Sequence, residues 1–153
     1  FDLWLPISQQ EEIGLKAKST DEDTLAKPLK NTNILVVEDN EINKLIAQKF
    51  LVKWGAEVSH AENGKLAIEL FLSNDFDCIL MDIEMPVMGG YEATQNIRMQ
   101  AKPSSKKIPI IALTASALPD IQARISEAGM NDFLIKPFNP KELKEKILAW
   151  LPK

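Results

Sequence analysis

The chain has 153 residues, 45 % hydrophobic and 26 % charged, which is the composition of one globular domain of ordinary size. Its net charge is −4 with no run of Lys and Arg, so it offers no electrostatic footprint for nucleic acid. One cysteine, Cys78, and one histidine, His60, exclude a disulfide framework, a cysteine-rich zinc site and a multi-histidine metal centre; a lone cysteine fits a reducing cytoplasm.

No apolar run approaches the length of a membrane span, and no signal-peptide pattern is present, so no direct membrane contact is expected. The first residue is Phe1, and the chain is expected to be a piece of something longer. "FDLWLPI" (1–7) alternates and reads as a short strand or the tail of one. Residues 8–32 are polar, contain a proline and hold no sustained period, which reads as a solvated linker.

From Asn33 the pattern changes. "NILVV" (33–37) is a β-rich apolar run that stops at Glu38 and Asp39. A helix follows from Glu41, with Ile42, Leu45, Ile46 and Phe50 at helical spacing and Gly55 as its stop. "EVSHA" (57–61) is a weaker strand and 64–73 a helix. "CILM" (78–81) is the third strand, with a helix over 91–100. The fourth strand, 108–115, contains Thr114, and a helix over 120–129 is closed by Gly129. "DFLI" (132–135) is the fifth strand, running into Lys136-Pro137, and 140–151 is the last helix. Strands one, three and four are continuous apolar runs, as expected where helices cover both faces of a parallel sheet. The fold class is therefore α/β, a doubly wound five-stranded sandwich.

Ligands of such sheets bind outside the carboxyl ends of the strands. Those ends deliver Glu38 and Asp39, then Asp82, Thr114 and Lys136. Each has an ordinary reading: Asp39 or Asn40 caps a helix, Asp82 forms a turn before Pro86, Thr114 is a good strand residue, and Lys136 reaches solvent. Singly those readings win. Jointly they require four accidents on one edge of the sheet. Three carboxylates close together repel and call for a cation, and a few oxygen donors suit Mg²⁺. A carboxylate beside that ion can act as a nucleophile toward phosphorus. Lys136 and the Thr114 hydroxyl would then serve the phosphoryl oxygens, and Ala115 leaves room for the group.

The motifs "VVEDN" (36–40), "MDIEMPVMGG" (81–90), "ALTA" (112–115) and "KPF" (136–138) stand in order on the right strands. Through them, residues 33–153 resemble the receiver domain of two-component response regulators. The resemblance implies a flavodoxin-like sheet of order 2-1-3-4-5 and a phosphoacceptor role for Asp82, fed by a phosphohistidine on a histidine kinase or histidine phosphotransfer domain. It implies Mg²⁺ held by Glu38, Asp39, Asp82 and the backbone carbonyl of Glu84, with Thr114 and Lys136 on the phosphoryl oxygens. It also implies a cis Lys136–Pro137 bond and a switch in which Thr114 and Phe133 move together to bias the surface of the fourth helix, fifth strand and fifth helix. Gly89 stands where the family often has Asp. Glu84 and Ser116 lie where side chains affect how fast water removes the phosphoryl group.

"FDLWLPI" resembles the closing strand of a histidine kinase ATP-binding domain, and "EDNEIN" (38–43) resembles receivers fused to such kinases. The implied context is the C-terminal receiver of a hybrid sensor histidine kinase, cytoplasmic, on a parent chain anchored in the membrane. The piece itself has no kinase core but would catalyse its own phosphorylation and dephosphorylation. A receiver that serves only protein contact is the structural rival, and the intact acids Glu38, Asp39 and Asp82, with Thr114 and Lys136, argue against it. A phosphatase of the haloacid dehalogenase type needs D-x-D, where this chain has "DIE"; a flavin binder needs a hydroxyl-rich phosphate loop. His60, on a short strand, reads as an ordinary surface residue and Cys78 as packing.

Overall fold

In the computed structural model the described residues are 28–151, apart from 86. Strands β1 (Asn33–Val37), β2 (Glu57–Ala61), β3 (Cys78–Asp82), β4 (Ile110–Thr114) and β5 (Asp132–Ile135) form one sheet of order 2-1-3-4-5. Every neighbouring pair is parallel. The connecting helices are α1 (Glu41–Lys53), α2 (Gly64–Ser73), α3 (Gly90–Arg98), α4 (Pro119–Ala128) and α5 (Pro140–Trp150), with a 3₁₀ turn at Pro103–Lys106.

The helix starts follow from local chemistry. Asn40, Asn63 and Asn139 accept hydrogen bonds from the Asn43, Leu66 and Lys141 N–H groups at 3.0, 2.9 and 2.7 Å, capping α1, α2 and α5. Pro119 and Pro140 open α4 and α5 at the position where a missing N–H costs nothing. Gly129 closes α4 in the left-handed conformation, φ 100°.

Continuous apolar strands have two buried faces, and here each face has its own core. Leu35, Val37, Ile79 and Met81 point to one side with Ala67, Phe71, Ala93, Ile97 and Ile125 from α2, α3 and α4. Ile34, Val36, Cys78 and Leu80 point to the other with Ala47, Leu51, Leu143 and Ile147 from α1 and α5. Cys78 is fully buried, with its thiol pushed up to about 12 by burial first and the Asp77 charge second, so it is packing, as expected.

Three expectations need correction. On α1, of the four apolar residues at helical spacing Phe50 packs against the core, but Ile42, Leu45 and Ile46 are exposed, and Ala47 and Leu51 are buried instead. The helix has apolar residues on two sides, so spacing alone cannot choose between them. The solvated stretch does not run unbroken to residue 32: Leu29 and Thr32 are buried, and the Leu29 N–H donates to the Trp54 carbonyl at 2.9 Å. His60 is half-buried rather than on the surface, with Nε2 3.1 Å from Gln48 Oε1 on α1 and a buried Nδ1 that has no partner among the described residues. Burial first, then the Lys44 charge, lowers its pKa against the opposing pull of Glu41.

The expected fourth strand begins late, at Ile110, because Pro109 has no N–H for a sheet ladder. The expected strand at 1–7 and residues 8–27 of the expected linker lie outside the described residues. Among the described residues no helix is long and apolar enough to cross a membrane.

Candidate functional site

Strand order reverses between β1 and β3, and the crevice at their carboxyl ends is where such sheets place ligands. The register pairs Val37 with Met81, so the next residues, Glu38 and Asp82, leave the sheet side by side. Both are about 1 % exposed, unusual burial for carboxylates and a sign that partners are built in. Asp39 is exposed at the mouth. Because Asn40 takes the capping role for α1, the Asp39 carboxylate is not spent on the helix end. One carboxylate oxygen from each of Glu38, Asp39 and Asp82 lies within 4.8 Å of the other two.

Lys136, delivered from the end of β5, balances the two buried acids. Its Nζ lies 3.1 Å from Asp82 Oδ2 and 3.4 Å from Glu38 Oε1. Burial works against its charge, but Asp82 and then Glu38 more than compensate, and its pKa is raised. The other Asp82 oxygen, Oδ1, accepts the Glu84 N–H at 3.1 Å. Glu38 is pushed up to about 7, by burial first and by the neighbouring Asp82 second, with Lys136 pulling the other way. One ammonium does not suffice for this cluster.

Thr114 is buried at the end of β4, next in register to the Leu113–Asp82 pair. Its hydroxyl is occupied locally: it donates to the Ser116 carbonyl at 2.9 Å and accepts the Ser116 N–H at 3.1 Å. Ala115 is exposed beside it. Phe133 on β5 is half-buried against the α2–α4 core. The Lys136–Pro137 bond is cis, as the resemblance implies.

Two contributors are not singled out by sequence reasoning. Gly90 starts α3 directly against the end of β3: a β-carbon there would lie 2.4 Å from the Asp82 carbonyl oxygen and 2.8 Å from the Ile83 Cα. The "GG" pair was the available signal. The second is a clamp on Phe133. Lys146 Nζ sits 5.0 Å from the centre of its ring and pairs with Asp132 at 2.8 Å, while the Trp150 indole N–H donates to the other Asp132 oxygen at 3.0 Å. These residues meet across α5 and β5, and no local pattern announces them.

Comparison with known proteins agrees with this geometry. Residues 34–148 match the family described as response regulator receiver domain. The sensor protein GacS of Pseudomonas syringae is 38 % identical over 118 residues, covering 76 % of this chain, which in turn spans 13 % of that protein's length. The receiver domain of sensor histidine kinase PA1611 from Pseudomonas aeruginosa, solved with a magnesium ion in its active-site cleft, is 39 % identical with a TM-score of 0.72, over 78 % of this chain and 96 % of that one. The receiver domain of Ssk1, solved with the Saccharomyces cerevisiae histidine phosphotransfer protein Ypd1, gives 33 % identity and a TM-score of 0.71, over 78 % and 88 %. The five-stranded order, the converging acids and the family match together make this chain a member of the response regulator receiver domain family.

Proposed function

We propose that this domain accepts a phosphoryl group on Asp82 from a phosphohistidine borne by a histidine kinase or a histidine phosphotransfer domain. The observation that carries the reading is the site itself: a buried Asp82 with one oxygen on a backbone N–H, the other beside Lys136, and two further acids converging on it. The donor set fits Mg²⁺, since hard carboxylate oxygens gather where one ammonium leaves Glu38 with a strongly raised pKa. Glu38, Asp39 and Asp82 would hold the ion with the backbone carbonyl of Glu84. When bound, it offsets the charge of the phosphoryl oxygens.

The chain's own residues do the rest. An Asp82 carboxylate oxygen attacks phosphorus, the phosphorus–nitrogen bond of the donor breaks, and its electron pair returns to the imidazole, which is left able to take up a proton. Lys136, already against Asp82, moves its charge to the phosphoryl oxygens. The Thr114 hydroxyl leaves Ser116 to donate to another of those oxygens, and Phe133 turns inward behind it. The face of α4, β5 and α5 thereby has two states.

The exposed apolar stripe of α1, Ile42, Leu45 and Ile46, supports a partner that docks beside the site. The parent is a hybrid sensor histidine kinase, supported by the likeness to GacS. The domain works in the cytoplasm, without contact to nucleic acid or membrane.

Borohydride reduction of protein phosphorylated with acetyl phosphate and Mg²⁺, followed by peptide mass spectrometry, tests the assignment. Conversion at residue 82 alone is expected. Conversion at Asp39 or Glu38 instead would displace Asp82 from its role.

A further inference from the structure

Residues 28–32 stand ahead of β1 and outside the stretch that matches the receiver family, yet they are built into the domain. They form a turn in which the Thr32 N–H donates to the Leu29 carbonyl at 3.0 Å. Asn31 reverses the chain in the left-handed conformation, φ 64°, which asparagine tolerates better than most residues. The Thr32 carbonyl then accepts the Glu57 N–H at 2.8 Å, so the turn runs directly into the sheet. Pro28, Lys30 and Asn31 are exposed, while Leu29 is fully buried.

Two helices make the seat of Leu29. Its N–H donates at 2.9 Å to the carbonyl of Trp54, which caps the end of α1. Its side chain belongs to one buried cluster with Leu51 and Trp54 from that end and with Leu143 and Ile147 from α5. The Trp54 ring stacks on Phe50, and Lys144 of α5 places Nζ 5.8 Å from its centre. So α5 touches two places at once. Leu143, Lys144 and Ile147 serve the seat, while Lys146 and Trp150 hold Asp132 and Lys146 stands over the Phe133 ring. A helix shifts as a unit, and packed interfaces change between discrete arrangements rather than by degrees. A turn of the Phe133 ring acts on Lys146, and a shift of α5 acts on the seat of Leu29.

We propose that residues 28–32 are a strap that passes the state of the receiver to the chain ahead of it: when Asp82 carries a phosphoryl group, α5 shifts and the hold on Leu29 loosens. The assignment rests on the phosphoacceptor reading of Asp82 and adds a route by which that state leaves the domain. The seat is complete here while the Thr114 hydroxyl is still bonded to Ser116, so a shift of α5 from this arrangement opens it. By linkage, a freed strap in turn favours the shifted arrangement.

Limited trypsin digestion of the 153-residue chain, before and after treatment with acetyl phosphate and Mg²⁺, reads the strap at Lys30, the exposed lysine of the turn. Intact mass gives the fraction phosphorylated in each sample. Cleavage after Lys30, followed as the fragment that begins at Asn31, should be faster by about threefold or more in the phosphorylated protein, because proteolysis tracks the population of the locally opened segment. Asp82→Asn treated alike should show no change. Leu29→Ala, with the seat emptied, should be cut rapidly in both states. Unchanged or slower cleavage of phosphorylated wild type would overturn the proposal, as would equal acceleration in Asp82→Asn or a Leu29→Ala chain as resistant as wild type. Wild type that gains no phosphoryl group removes the phosphoacceptor reading, and the role of the strap with it.

Discussion

Glu38 keeps its proton up to about pH 7 against an ordinary 4.5, so the folded protein binds more protons than the unfolded chain between those values. Stability from this group therefore falls as pH rises from 4.5 to 7. Mg²⁺ needs the ionised form and displaces the proton, so its affinity should rise with pH through the same region, with proton release seen in calorimetry in buffers of different ionisation heat. Lys136→Met leaves two buried acids without their ammonium; a loss of about 2–3 kcal/mol in urea unfolding is expected, on the low side because Glu38 can take up a proton. Mg²⁺ should restore more stability to that variant than it adds to wild type. Equal Mg²⁺ effects would mean that Lys136 does not share the acids' charge. That Glu38, Asp39, Asp82, Thr114 and Lys136 gather at one edge was legible because each stands at or just past a strand's end, which is visible where apolar residues stop. The Thr114–Ser116 hydrogen bonds were not, since a hydroxyl's orientation depends on a loop course that sequence does not specify.

At the scale of elements, α3 is placed by a glycine. Ala is the better helix former, yet a β-carbon at position 90 meets the Asp82 and Ile83 backbone, so Gly90→Ala should cost about 2 kcal/mol in denaturant unfolding and slow phosphorylation by acetyl phosphate. A stabilised variant would contradict that packing. On α5, Lys146 and Trp150 reach Asp132. Burial alone would raise that carboxyl, but hydrogen bonds from Lys146, Trp150 and the Phe133 N–H, with the Lys146 charge, hold it below its ordinary value. A depressed carboxyl stabilises the fold above about pH 4, and the contribution is lost as pH falls through the lower folded value. Asp132→Asn should therefore narrow the stability gap between neutral and acid pH in urea titrations, and an unchanged gap would remove the clamp. Element existence was easy to read because strand runs and Asn caps are local. The buried side of α1 was not, because Ile42, Leu45 and Ile46 form as good a stripe as the residues that pack.

For the whole molecule, the sheet does the gathering: residues up to 98 positions apart meet at one edge, as Glu38 and Lys136 do. The alternation of strands and helices implied a parallel sheet. Which strands are neighbours came only through the resemblance, because crossover order is a property of the assembled sheet. The central claim is that this edge takes a phosphoryl group on Asp82. Intact mass after incubation with acetyl phosphate, with and without Mg²⁺ and beside Asp82→Asn, tests it most directly. A gain of one phosphoryl group that requires Mg²⁺ and is absent from the variant is the expected result. A folded wild type that gains nothing, or a variant that gains as much, would contradict it.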